Sequence, residues 1–141
     1  YEPLDLDPEL QLFVAWSTDA AEPSDTVHRS LRWRFDAGDP RIVAAMGELR
    51  IQAGRARRGI LSNDAALLAD AMHRTLAIRL DVTEVPPGQR HLVEVGRAAG
   101  AAVNSAGSGG SVVGLARHTD HLAAVLAAYD AAGIPTLRVL A

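Results

Sequence analysis

The sequence predicts an α+β fold. This is a ferredoxin-like plait whose four-stranded, mainly antiparallel sheet carries helices on one face, with extra helices inserted in the first crossover. Three observations predict it. The segments read strand, several helices, strand, strand, helix, strand, which is the β-α-β-β-α-β order of a plait. Each helical segment carries an apolar stripe on one face, which demands a layer to cover. The 141 residues, 48% of them apolar, can bury a single core, and no repeat or linker divides them.

Taken in order, a proline-punctuated acidic approach leads to Leu10–Ser17, whose Leu12, Val14 and Trp16 alternate with a second apolar set as in a buried strand. After a polar loop, Ser24 or Asp25 can cap a helix in which Val27, Leu31 and Phe35 share a face, and Gly38 ends it. Asp39-Pro40 then pairs a capping residue with proline at a first helical position. The long helix that follows shows Ile42, Met46, Leu49, Ala53, Ala56 and Ile60 on one face. Residues 62–64 interrupt the pattern, and a third helix carries Leu68, Met72, Leu76 and Leu80 up to Pro86-Pro87. A shorter helix over Gln89–Ala99 presents Leu92, Val95 and Ala99. After a strand–glycine loop–strand unit, Thr119 caps a last helix with Leu122, Val125, Leu126 and Tyr129, and residues 134–141 close the chain as a strand.

Composition narrows the function. With a net charge of −3 the chain lacks the basic footprint of a nucleic-acid binder, and no run of about 18 apolar residues suits a membrane span. The absence of cysteine excludes disulfides, thiolate catalysis and zinc-cysteine sites, and fits a cytoplasmic protein. Tyr1 in place of an initiating methionine leads us to expect a piece of a longer product.

The segment from Gly100 to Ala116, GAAVNSAGSGGSVVGLA, is the one that points to chemistry. Gly107, Ser108, Gly109 and Gly110 interrupt two apolar strands, where glycine weakens pairing. Three glycines in four residues exceed what a two-residue hairpin turn requires. A floppy turn and an anion-holding nest of amides both fit that pattern. A P-loop is excluded because no lysine follows these glycines, and the chain contains none. A dinucleotide fingerprint is excluded because the next segment reads as a strand rather than a helix.

That segment resembles the third signature motif of the GHMP kinases, the superfamily of galactokinase, homoserine kinase, mevalonate kinase and phosphomevalonate kinase. YEPLD, AEPSDTVH, RWRFDAGDP and AMHRTLAIR resemble, in the same order, the C-terminal half of glucuronokinases. The resemblance implies the C-terminal domain of an ATP-dependent kinase acting on a sugar or sugar acid, with residues 1–141 forming that one domain. In such enzymes the main ATP loop, the Mg²⁺ ligands and the catalytic acid-base residue belong to an N-terminal domain. This chain's partner would then be its own N-terminal domain, and the isolated chain is expected to be inactive. By the same resemblance Gly107, Ser108, Gly109 and Gly110 would contact phosphates, and Arg79, His73, His28 and Asp25 would face the acceptor. The sequence departs from the pattern at Asn104, where lysine is frequent, and at Ala106, where serine or threonine is. His73, Thr75 and Ala77 depart as well, standing where asparagine, asparagine and aspartate are usual in glucuronokinase-like sequences.

Each side chain also has a plainer role open to it. Arg79 near a helix end complements the dipole there, His73 is as well explained by solvation, and Ser24, Asp25, Thr26 and His28 by a cap and its surroundings. His118 and His121 flank Asp120, but no third ligand accompanies them for a metal site. Trp16 and Trp33 suit a core or a domain interface. Two rivals stand beside the sugar kinase: a kinase of the mevalonate or homoserine branch, and a non-catalytic ligand-sensing or interaction module on the same plait.

Overall fold

The structure, a computed structural model, describes residues 3–18, 24–107 and 109–139, without the side chains of 24–28. The elements are β1 (Gln11–Trp16), α1 (Ser24–Asp36), α2 (Pro40–Leu61), α3 (Ala65–Val82), α4 (Pro87–Ala98), β2 (Ala102–Ser105), β3 (Ser111–Ala116), α5 (Thr119–Ala131) and β4 (Thr136–Arg138). The strands lie in the order β2-β3-β1-β4, and all three pairings are antiparallel. This is the plait expected from the element order, with four helices rather than one between the first two strands.

Alternation along β1 sets the two faces of the sheet. Phe13 and Ala15 point to one side with Val103 and Val112, and there they meet Leu92 and Val93 of α4, Leu122, Val125 and Tyr129 of α5, and Leu76 of α3. Opposite Phe13 in β3 stands Gly114, where a Cβ would run into the phenyl ring; glycine is what lets the far end of that ring come against the strand. On the other side Leu12, Ala102 and Leu115 gather Leu68 and Met72 of α3 and Ala56 and Ile60 of α2. The α2–α3 pair therefore follows the β2 edge and reaches part of the second face. A third cluster, Ile42, Ala45 and Val82 with Leu31 and Met46, ties α1 to that pair.

Local signals fall where the sequence put them, with shifts at the edges. Asp39 caps α2 by accepting from the amides of Arg41 and Ile42, Pro40 follows it, and the Arg34 guanidinium holds the Asp39 carboxyl below its ordinary range. The buried stripe of α2 includes Gln52 and leaves Ala53 exposed, because Gln52 accepts a hydrogen bond from Arg55, which in turn reaches Asp70. The cap of α5 is His118 rather than Thr119: its Nδ1 accepts from the His121 amide at 3.2 Å. The last strand is shorter than expected, three residues, with the Val139 amide still donating to Leu12. Trp33 is 72% exposed, so it does not belong to the core. Among the described residues no helix is long and apolar enough to cross a membrane.

Candidate functional site

Glycine is required by the backbone in the β2–β3 connection. Gly107, Gly109 and Gly110 adopt φ of +67°, +146° and +77°, all in the region that side chains disfavour. The connection is not loose at its ends. The Ala106 amide donates to Ser111 O at 3.0 Å, the Ser111 hydroxyl donates to Ala106 O at 3.2 Å, and the Ser17 amide donates to Gly110 O at 2.8 Å. Gln89, at the start of α4, donates from Nε2 to Ser111 O at 3.1 Å. These bonds make the connection a supported loop rather than a slack turn. Ser108 lies outside the described residues.

Arg79 joins this loop. It sits in the last turn of α3 and donates from Nη1 to Ser105 O at 3.0 Å and from Nη2 to Gly107 O at 2.5 Å. Burial lowers its pKa from the ordinary arginine value. Beside the guanidinium opens a cavity of about 400 Å³, bordered by Ser105, Gly107 and Gly109 on one side and by Glu84 and Gln89 on another. Its remaining walls are largely apolar, including Leu31, Met46 and Leu76.

The sequence-derived candidates divide accordingly. Arg79, Gly107 and Gly109 come together. His73, on the same helix, is exposed and lines a different depression, with Asp70, Gly100 and Arg117. The side chains of Asp25 and His28, like those of Ser24 and Thr26, lie outside the described residues. Asn104, on β2, has a buried Oδ1 with no hydrogen-bond partner. Ala106 uses both its amide and its carbonyl in closing the loop.

Sequence reasoning missed Gln89 and Glu84 as neighbours of the loop, since only the fold brings the start of α4 beside β3. It also left open the two histidines of α5. His121 is buried, accepts at Nδ1 from the Arg117 amide at 3.0 Å and donates from Nε2 to Ala99 O at 2.8 Å, so both ring nitrogens are committed to backbone. Among the described residues no group of three or more histidines or carboxylates could hold a metal ion.

Comparison with known proteins gives this loop its context. The family described as GHMP kinases C terminal matches residues 56–134, from within α2 through α5 and over more than half of the chain. Probable glucuronokinase 2 of Arabidopsis thaliana is 34% identical over 99 residues, which cover 67% of this chain and 27% of that protein. Glucuronokinase 1 of the same plant is 33% identical over 120 residues, covering 80% of this chain and 32% of that protein. The chain thus spans less than a third of the length of either relative. The structure of L. major mevalonate kinase in complex with R-mevalonate superposes with a TM-score of 0.81 at 18% identity, over 92% of this chain and 40% of that one, a likeness of fold. Sequence and fold agree, and the chain belongs to the GHMP kinase C-terminal family.

Proposed function

We propose that this chain is the C-terminal domain of an ATP-dependent kinase that phosphorylates a hydroxyl of a sugar or sugar acid. The observation that carries the reading is the supported loop with three glycines at positive φ beside a half-buried arginine that donates to its carbonyls. Glycine amides approach phosphate oxygens without a Cβ in the way, and each charge-assisted N–H bond contributes roughly 1.5–3 kcal/mol. Support for a sugar or sugar acid comes from the two glucuronokinase relatives.

In the proposed reaction the acceptor oxygen forms a bond to the γ-phosphorus as the bond to the bridging oxygen of ADP breaks. Gly107, Ser108, Gly109 and Gly110 would hold phosphate oxygens from this side. Asp25 and His28 would contribute to the acceptor wall, while His73 lines a separate depression. The described residues offer no cage for Mg²⁺, and an N-terminal domain is assigned its ligands, the main ATP loop and the catalytic acid-base residue. No step is assigned to the metal within this chain, and the chain alone is expected to be inactive.

The test is ADP release from Mg-ATP by the complete protein over a panel of sugars that includes glucuronate. Turnover confined to sugars or sugar acids supports the reading. A folded complete protein that neither turns over nor binds ATP makes the sensing module the better account. In the complete enzyme Gly109→Val should lower kcat/KM by ~100-fold, the scale of losing one preorganised donor, in a protein that still folds although a side chain at φ +146° lowers its Tm. Unchanged kinetics in that folded variant would reject the loop's role.

A further inference from the structure

Arg79 matches the family resemblance as an acceptor-side residue, yet its partners belong to the glycine loop. Both acceptors are backbone carbonyls, Ser105 O and Gly107 O, lying 26 and 28 positions further along the chain. A half-buried guanidinium with no ion-pair partner among the described residues is unfavourable unless its hydrogen bonds are well used. Here they fix peptide planes. In a trans peptide the carbonyl and the following N–H point in opposite directions, so holding one aims the other. The peptide after Ser105 is held at both ends, its carbonyl by Arg79 and the Ala106 amide by Ser111 O. Gly107 has φ +67° and open space where a Cβ would stand, so no side chain anchors it, and its carbonyl accepts from Arg79.

We infer that Arg79 is a positioning residue for the phosphate donor: its planar fork holds the carbonyls of Ser105 and Gly107, and thereby fixes the path of the glycine loop on the side where nucleotide phosphates would bind. The inference rests on the kinase reading above and moves Arg79 from the acceptor to the nucleotide side of the site. Two features of arginine suit the task. Its fork reaches two separate carbonyls, which the single ammonium of lysine cannot do in the same geometry. Among the described residues two of its five N–H groups are engaged, both by the loop, which leaves further donors beside the place where an anion would lie.

The experiment uses the complete protein and compares KM for ATP with KM for the sugar it phosphorylates. The unaltered protein is measured first; if it neither binds nor turns over ATP, the kinase reading falls and this inference falls with it. With turnover established, Arg79→Lys should raise KM for ATP by about tenfold, the loss of one charge-assisted hydrogen bond, and leave KM for the sugar within about twofold. Arg79→Gln, neutral and able to reach one carbonyl at most, should raise the same constant further and decides the matter if the lysine variant does not fold. Gly107→Ala strains the same loop, so its effect combined with Arg79→Lys should be smaller than the product of the two. A rise in KM for the sugar with KM for ATP unchanged would place Arg79 at the acceptor and overturn the inference while leaving the kinase reading intact. So would an unchanged KM for ATP in both arginine variants, or effects that simply multiply.

Discussion

Tyr129 shows how much one polar atom can matter in a core built almost without aromatics. Its side chain is fully buried against Phe13, with ring centroids 5.7 Å apart, and its hydroxyl donates to Leu92 O at 2.8 Å. Burial pushes its pKa up to about 12, against a smaller opposing pull from the Gly96 backbone. The folded state therefore favours the neutral phenol. The stability this provides is complete below the ordinary tyrosine pKa of 10.0 and is lost as pH rises toward about 12. Across that window the loss amounts to roughly 3 kcal/mol, two pKa units. Urea melts between pH 9 and pH 12 should show this fall, and Tyr129→Phe should remove it. At neutral pH that variant should cost about 1 kcal/mol for the missing hydrogen bond. A Phe variant with the same alkaline loss would assign the effect to another group.

At the scale of elements, the β1–β3 pairing depends on one close approach. Phe13 lies over Gly114, and a methyl group there would collide with its ring. Gly114→Ala should destabilise the domain by about 1–3 kcal/mol, as overpacking of a filled core does. Phe13→Leu in the same chain should restore part of the loss, and urea midpoints of the single and double variants test this. The sequence announces such elements unevenly. Helix positions were legible from caps and apolar periodicity: Asp39-Pro40 starts α2, and Leu68, Met72 and Leu76 mark the buried face of α3. Gly114 reads only as a weak spot in a strand, because the ring that needs it is 101 positions away. Gln52 reads as exposed, because its partner chain through Arg55 to Asp70 exists only once α2 and α3 pack.

For the whole molecule, the order of elements was enough to propose the plait, since few topologies connect those segments without crossing. The candidate site was legible only in part. Three glycines in four residues mark the loop in the sequence, and their positive φ values give the physical reason for them. What holds the loop in shape comes from three other parts of the fold, Arg79 at the end of α3, Gln89 at the start of α4, and Ser17 after β1. No local pattern could disclose that convergence. It also separates His73 from Arg79, which neighbour one another in the motif but serve different surfaces of the helix.

The strand order β2-β3-β1-β4 has a consequence for how the chain is made. The first strand occupies an interior place in the sheet, and the neighbour that finishes it is the last strand, with Arg138 bonded to Gln11 across 127 positions. Until β4 has been made and has paired, one side of β1 presents an open row of backbone donors and acceptors, the kind of edge on which chains aggregate. Deleting residues 136–138 should therefore make the domain more prone to aggregate, even though only three residues of strand are lost. Sedimentation of the truncated and intact chains side by side tests this, and equal solubility would show that β1 is protected by other means. The shortest strand would then decide whether the strand it covers stays out of reach of other chains.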